Sequence, residues 1–117
     1  MNEIAVARHA ILDLGSEDYY HLGDAAAYLS TVPEDRRRDV AKDALLALIQ
    51  EGYVQLYFGR MATNDVAPVR LQDVVRVLDD AGAWELHGNE VYCFANTPQG
   101  DELYMSGRTI PSDSPAA

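Results

Sequence analysis

The sequence predicts an α+β domain in which helices pack on a small antiparallel sheet. Three observations carry that expectation. Residues 33–51 repeat apolar side chains at three- and four-residue intervals, the period of a long amphipathic helix. Gly52 interrupts the pattern, and Tyr53-Val54-Gln55-Leu56-Tyr57-Phe58 then alternates in the period of a strand. The chain has 117 residues, 48% of them hydrophobic, which suits one domain with its own core.

Taken in order, residues 2–14 form a first helix, with Ile4, Ala7, Ile11 and Leu14 on one stripe and Gly15 as a left-handed stop. His9 falls off that stripe and reads as a solvated side chain. Tyr19-Tyr20-His21-Leu22 is short and aromatic, an edge strand. Asp24 caps a short helix over residues 25–30, and Thr31-Val32 turns the chain into Pro33, a residue suited to a first helical position. Within the long helix, Val40, Ala41, Ala44, Leu45, Leu48 and Ile49 make the buried face. In the strand that follows, Val54, Leu56 and Phe58 share one side and Tyr53, Gln55 and Tyr57 the other.

Residues 59–68 read as a loop, with Asn64-Asp65 and Pro68 as turn formers. Leu71, Val74, Val75 and Leu78 mark a helix over residues 72–81 that ends at Gly82. Residues 84–86 and 90–95 then read as two strands of a hairpin around His87-Gly88-Asn89. Thr97-Pro98 opens a last helix that Gly107 closes, with Asp101 and Glu102 near its positive end. The domain is therefore expected over residues 1–106, with a disordered tail over residues 107–117.

Composition narrows the chemistry. A formal charge of -10 repels phosphate backbones at long range and suits a basic partner, although it also serves plain solubility. The single cysteine, Cys93, forms no internal disulfide, which fits a reducing, cytoplasmic setting. No secretory signal and no membrane-length apolar run is present, so no membrane partner is expected. Eight arginines against one lysine point to a GC-rich bacterial genome.

No catalytic set, metal site or cofactor is expected. His9, His21 and His87 lie on different elements and share no metal-ligand spacing. Cys93 falls mid-strand, where a buried thiol is inert. The glycines are isolated caps and turns with no phosphate-cradling loop among them.

The sharpest candidate site is Arg36, Arg37, Arg38 and Lys42, joined by Arg60 after the strand. Glu34, Asp35, Asp39 and Asp43 interleave with them, and Glu34 and Arg38 form an acid-first i,i+4 pair. A second candidate is the aromatic set Tyr53, Tyr57, Trp84 and Tyr92 on the sheet, of which Tyr53 and Tyr57 are the preferred protein-contact residues.

The helix over residues 24–30, the Thr31-Val32-Pro33 turn, the helix over residues 33–51 and the Glu51-Gly52-Tyr53-Val54 exit resemble a winged helix-turn-helix domain. Tyr92-Cys93-Phe94-Ala95-Asn96-Thr97-Pro98-Gln99-Gly100 resembles a second wing strand entering a Thr-Pro-x-Gly turn, common in small bacterial winged-helix regulators. The chain from about residue 2 to 106 is similar to small uncharacterised actinobacterial proteins built this way. One departure is clear: about thirty residues, including the helix over residues 72–81, separate the two candidate wing strands.

The resemblance implies Arg36, Arg37, Arg38 and Lys42 at the start of a recognition helix, where DNA contacts are made. The interrupted wing and the negative charge favour instead an acidic, non-catalytic regulator that binds a protein, with DNA-binding transcriptional regulation as the alternative. It would act as a monomer or homodimer, the first helix being the candidate for dimerisation.

Overall fold

The computed structural model describes residues 2–86 and 88–109, and its architecture is α+β: five α-helices and one four-stranded antiparallel sheet. The predicted long helix is its centre. Helix α3 spans Arg37–Gln50 without a break and buries Ala41, Ala44, Leu45, Leu48 and Ile49. Its start differs from expectation. Pro33 precedes a 3-10 turn over Glu34–Arg36, and the α-helical bonds begin only at Arg37. In a 3-10 turn, positions i and i+4 do not face each other, and no Glu34–Arg38 pair forms among the described residues.

The end of α3 is a two-bond cap. Gly52 takes φ +86°, so its N–H donates to the Ile49 carbonyl at 3.1 Å and the Tyr53 N–H to the Leu48 carbonyl at 2.9 Å. This satisfies two carbonyls that the helix end would otherwise leave open. The chain then enters strand β2, Val54–Arg60.

Before α3, helix α1 (Glu3–Gly15) is capped by the Asn2 side chain, which accepts from the Ile4 and Ala5 N–H groups. Gly15 does not end it in a left-handed turn. It is helical, and its lack of a side chain lets the backbone approach Asn96, whose Nδ2 donates to the Leu12 carbonyl at 2.9 Å. Strand β1 is only Tyr20–His21. Helix α2 follows at once as Leu22–Ala27, earlier than predicted. Its cap is the His21 ring, whose Nδ1 accepts from Gly23 N–H at 3.1 Å, in place of Asp24. His9 is half-buried, not solvated: Nδ1 lies 3.1 Å from the Thr109 hydroxyl and the ring packs near Tyr104.

After β2 the segment read as a loop holds strand β3, Asp65–Pro68, which pairs back onto β2 from Tyr57↔Pro68 to Arg60↔Asp65. A 3-10 turn and left-handed Asn64 make the connection. Helix α4 is Leu71–Asp79. Residues 84–86 form no strand: Trp84 closes a 3-10 turn over Ala81–Trp84, with its ring buried and Nε1 donating to the Leu78 carbonyl at 3.0 Å. Strand β4 (Val91–Asn96) instead pairs with β2 along one side and, at Cys93 and Phe94, with β1 on the other. The sheet order is β1-β4-β2-β3.

Helix α5, Pro98–Met105, opens as predicted, with Thr97 Oγ1 accepting from Gly100 N–H. The same hydroxyl donates to the Gly52 carbonyl at 2.6 Å, and Thr97 N–H to the Tyr53 carbonyl at 3.0 Å. Gly100 packs so closely on Tyr53 that a Cβ would overlap its carbonyl. Residues 107–109 form a turn after α5, with Gly107 at φ +75°. The remainder of the expected tail lies outside the described residues. Helices α1 to α4 enclose a core that includes Ile11, Leu22, Leu45, Leu56, Val77 and Phe94.

Three substitutions separate packing from backbone strain. Leu48 is fully buried, so Leu48→Ala is expected to cost about 2–5 kcal/mol. At Gly52 a Cβ meets nothing within 4 Å, so Gly52→Ala registers left-handed strain alone, about 1–2 kcal/mol. Gly100→Ala meets the Tyr53 carbonyl and should release α5 from the joint as well. Urea unfolding followed by the fluorescence of Trp84 measures all three.

Candidate functional site

Arg36, Arg37, Arg38 and Lys42 lie in the first turns of α3 or just before it, but most are already engaged. Arg36 pairs with Glu3 at 2.9 Å. Arg37 Nε donates to the Val32 carbonyl at 2.8 Å and so holds the turn before α3. Lys42 pairs with Asp79 of α4 at 3.0 Å, and that carboxylate holds its ammonium above the usual lysine pKa. Arg38, and Arg60 at the end of β2, are exposed and have no partner among the described residues.

The same economy extends over the molecule. Of the nine basic side chains, five stand in ion pairs: Arg8, Arg36, Lys42, Arg70 and Arg76. Arg8 grips Glu51 with both terminal nitrogens, at 3.0 and 2.9 Å, tying α1 to the end of α3. The guanidinium bonds lower the pKa of Glu51, chiefly through the side-chain hydrogen bond. The surface therefore carries a surplus of carboxylates and few free cations.

The aromatic set is split by the sheet. In antiparallel strands directly paired residues share a face. Tyr57 pairs with Cys93 and Phe58 with Tyr92, so the two pairs lie on opposite faces. Tyr53 and Tyr57 are both half-buried. Tyr53 packs against the core, and Tyr57 lies edge-on against Tyr19 with ring centroids 5.1 Å apart. Burial pushes the Tyr57 phenol pKa up, with Tyr19 adding to the effect. Trp84 is buried off the sheet.

Phe58 behaves differently. It shares its face with Leu56 and was expected to be buried, yet it is 38% exposed. The helix layer stops short of it. Its ring leans on Tyr92 with centroids 4.6 Å apart. Together they line a cleft of about 280 Å³ between the sheet and the 81–84 turn. Among the described residues, the polar side chains lining that cleft are Asp80, Glu85, Glu90 and the Tyr92 phenol, with no base among them. Asp80 is held in place by accepting from Gly82 N–H at 3.0 Å.

Other sequence candidates fall elsewhere. His21 is 5% exposed and serves as the α2 cap. Cys93 is fully buried, and burial pushes its thiol up to about 11. Helix α1 buries Ile11, Leu12 and Leu14 inside its own domain, so that stripe is not open for pairing with a second copy. Among the described residues no helix is long and apolar enough to cross a membrane.

Two measurements check this geometry. At neutral pH the Cys93 thiol is almost wholly protonated and enclosed, so a disulfide reagent should react with it only after denaturant is added. Because the folded pKa of Glu51 is lowered, its pair with Arg8 contributes fully above the ordinary carboxylate value of 4.5, and the contribution is lost as pH falls through the lowered value. Both side chains are partly exposed, so Glu51→Gln should remove only about 0.2–1 kcal/mol at neutral pH and nothing at low pH. Compared with known proteins, the chain matches no family model, no curated protein and no solved structure.

Proposed function

We propose that this chain is a non-catalytic, winged-helix-like binding domain that acts through contact with a basic protein partner. The order α2, turn, α3 and an antiparallel β2–β3 hairpin supports the winged-helix reading. The hairpin follows α3 directly, and β4 adds to it from the other side. On this reading β2 and β3 are the wing strands, and β3 is a segment that sequence alone reads as a loop.

The observation that carries the choice of partner is the use of the basic residues. DNA affinity depends on cations free to displace counterions from phosphates. Arg36, Arg37 and Lys42 are tied to Glu3, the Val32 carbonyl and Asp79, within a chain of formal charge -10. An acidic surface of this kind attracts basic proteins and repels nucleic acid at long range. The alternative reading, a DNA-binding regulator, rests on the exposed Arg38 and Arg60.

A mobility-shift titration of the full chain against pooled random duplexes in low-salt buffer decides between them. No retarded species is expected. A retarded species that fades steeply with added salt, and that vanishes in the Arg38→Ala/Arg60→Ala double variant, would replace the protein-partner reading with the DNA one.

A further inference from the structure

The geometry points to the cleft between the Phe58–Tyr92 ring pair and the 81–84 turn as the docking site for an arginine-bearing segment of the partner. This rests on the proposed basic-partner function and gives it an address. Three features make the cleft fit that occupant. Its lining is aromatic: Phe58 and Tyr92 lie in ring contact, and Phe58 is partly exposed to solvent. A guanidinium is flat and weakly hydrated, and it stacks on such a surface with less loss of hydration than an ammonium does.

The rim is acidic from more than one segment. Asp80 and Glu85 flank the 81–84 turn, and Glu90 precedes β4, with no basic side chain among the described residues of the lining. Glu90 is exposed and has no partner among the described residues. Asp80 is preset, since one of its oxygens is fixed by the Gly82 N–H. A planar fork of donors suits such carboxylates better than a point charge.

Size supplies the third argument. At about 280 Å³ the cleft lies just below the usual range of small-molecule pockets, roughly 300–1,000 Å³. It accommodates a side chain on a partner more readily than a cofactor. Another exposed apolar surface, Leu71 and Val75 on α4, has no comparable charge pattern to specify what covers it.

The test uses the full chain and three synthetic probes: Gly-Arg, Gly-Lys and Gly-Glu repeat peptides. Binding is followed by calorimetry and by amide chemical shifts in low-salt buffer. The Gly-Arg peptide is expected to bind several-fold more tightly than Gly-Lys, to move the Phe58, Val91 and Tyr92 amides, and to weaken several-fold in Glu90→Gln and in Phe58→Leu. Gly-Glu should not bind. Gly-Arg binding that is unchanged in both variants, with shifts elsewhere, would overturn the cleft and leave the basic-partner function standing. Equal binding of Gly-Arg and Gly-Lys would overturn arginine as the occupant. Failure of both basic peptides to bind anywhere would bring down the cleft and the function together. Retained Trp84 fluorescence and unfolding midpoints in the two variants show that they are folded.

Discussion

The joint at Gly52 is the constraint on which the rest of the structure depends. A single left-handed residue ends α3, and its geometry places two further carbonyls, Gly52 and Tyr53, where Thr97 binds both. Helix, strand and the start of α5 are thus fixed by four hydrogen bonds around three residues. Because β2 leaves α3 at a set angle, β4 and β3 can flank it, and the sheet grows outward from that strand. A different exit at Gly52 would leave Leu56 and Phe94 without the helical surface that now covers them.

Electrostatics follows from the same arrangement. Arg8 reaches Glu51, the last helical cap residue, and Lys42 bridges α3 to α4. Surface pairs of this kind contribute little stability one by one. Their larger effect is on what remains outside. Cations used within the fold cannot form a continuous positive stripe, while Asp80 and Glu90 remain turned to solvent. The identity of the surface is set by subtraction as much as by placement.

Elements with local signals were legible in the sequence. The α3 period, its glycine stop and the Thr97-Pro98 opening all act within a turn or two of chain, and each appears where expected. Elements defined by distant partners were not. The strand at residues 65–68 exists only because β2 offers an edge, and its Asn64-Asp65 and Pro68 punctuation looks like a loop. Trp84 looks like a strand residue by type, yet its indole N–H finds the Leu78 carbonyl and the backbone turns with it. The α2 cap was misplaced because a histidine took the role that an aspartate usually fills. The basic cluster was visible as a list of residues, but its internal pairing to Glu3 and Asp79 was not. The cleft was invisible, since Phe58, Asp80 and Tyr92 come together only through sheet pairing and the return of the chain after α4.

The borders of the sheet have a further meaning. At one side the outermost strand has two residues, and at the other it has four. The longer one closes on Pro68, which lacks an N–H, and opens on a charged Asp65. Neither border offers a run of backbone donors and acceptors long enough for a foreign chain to zip against. The brevity of the outermost strands thus works against the addition of a further strand at either border.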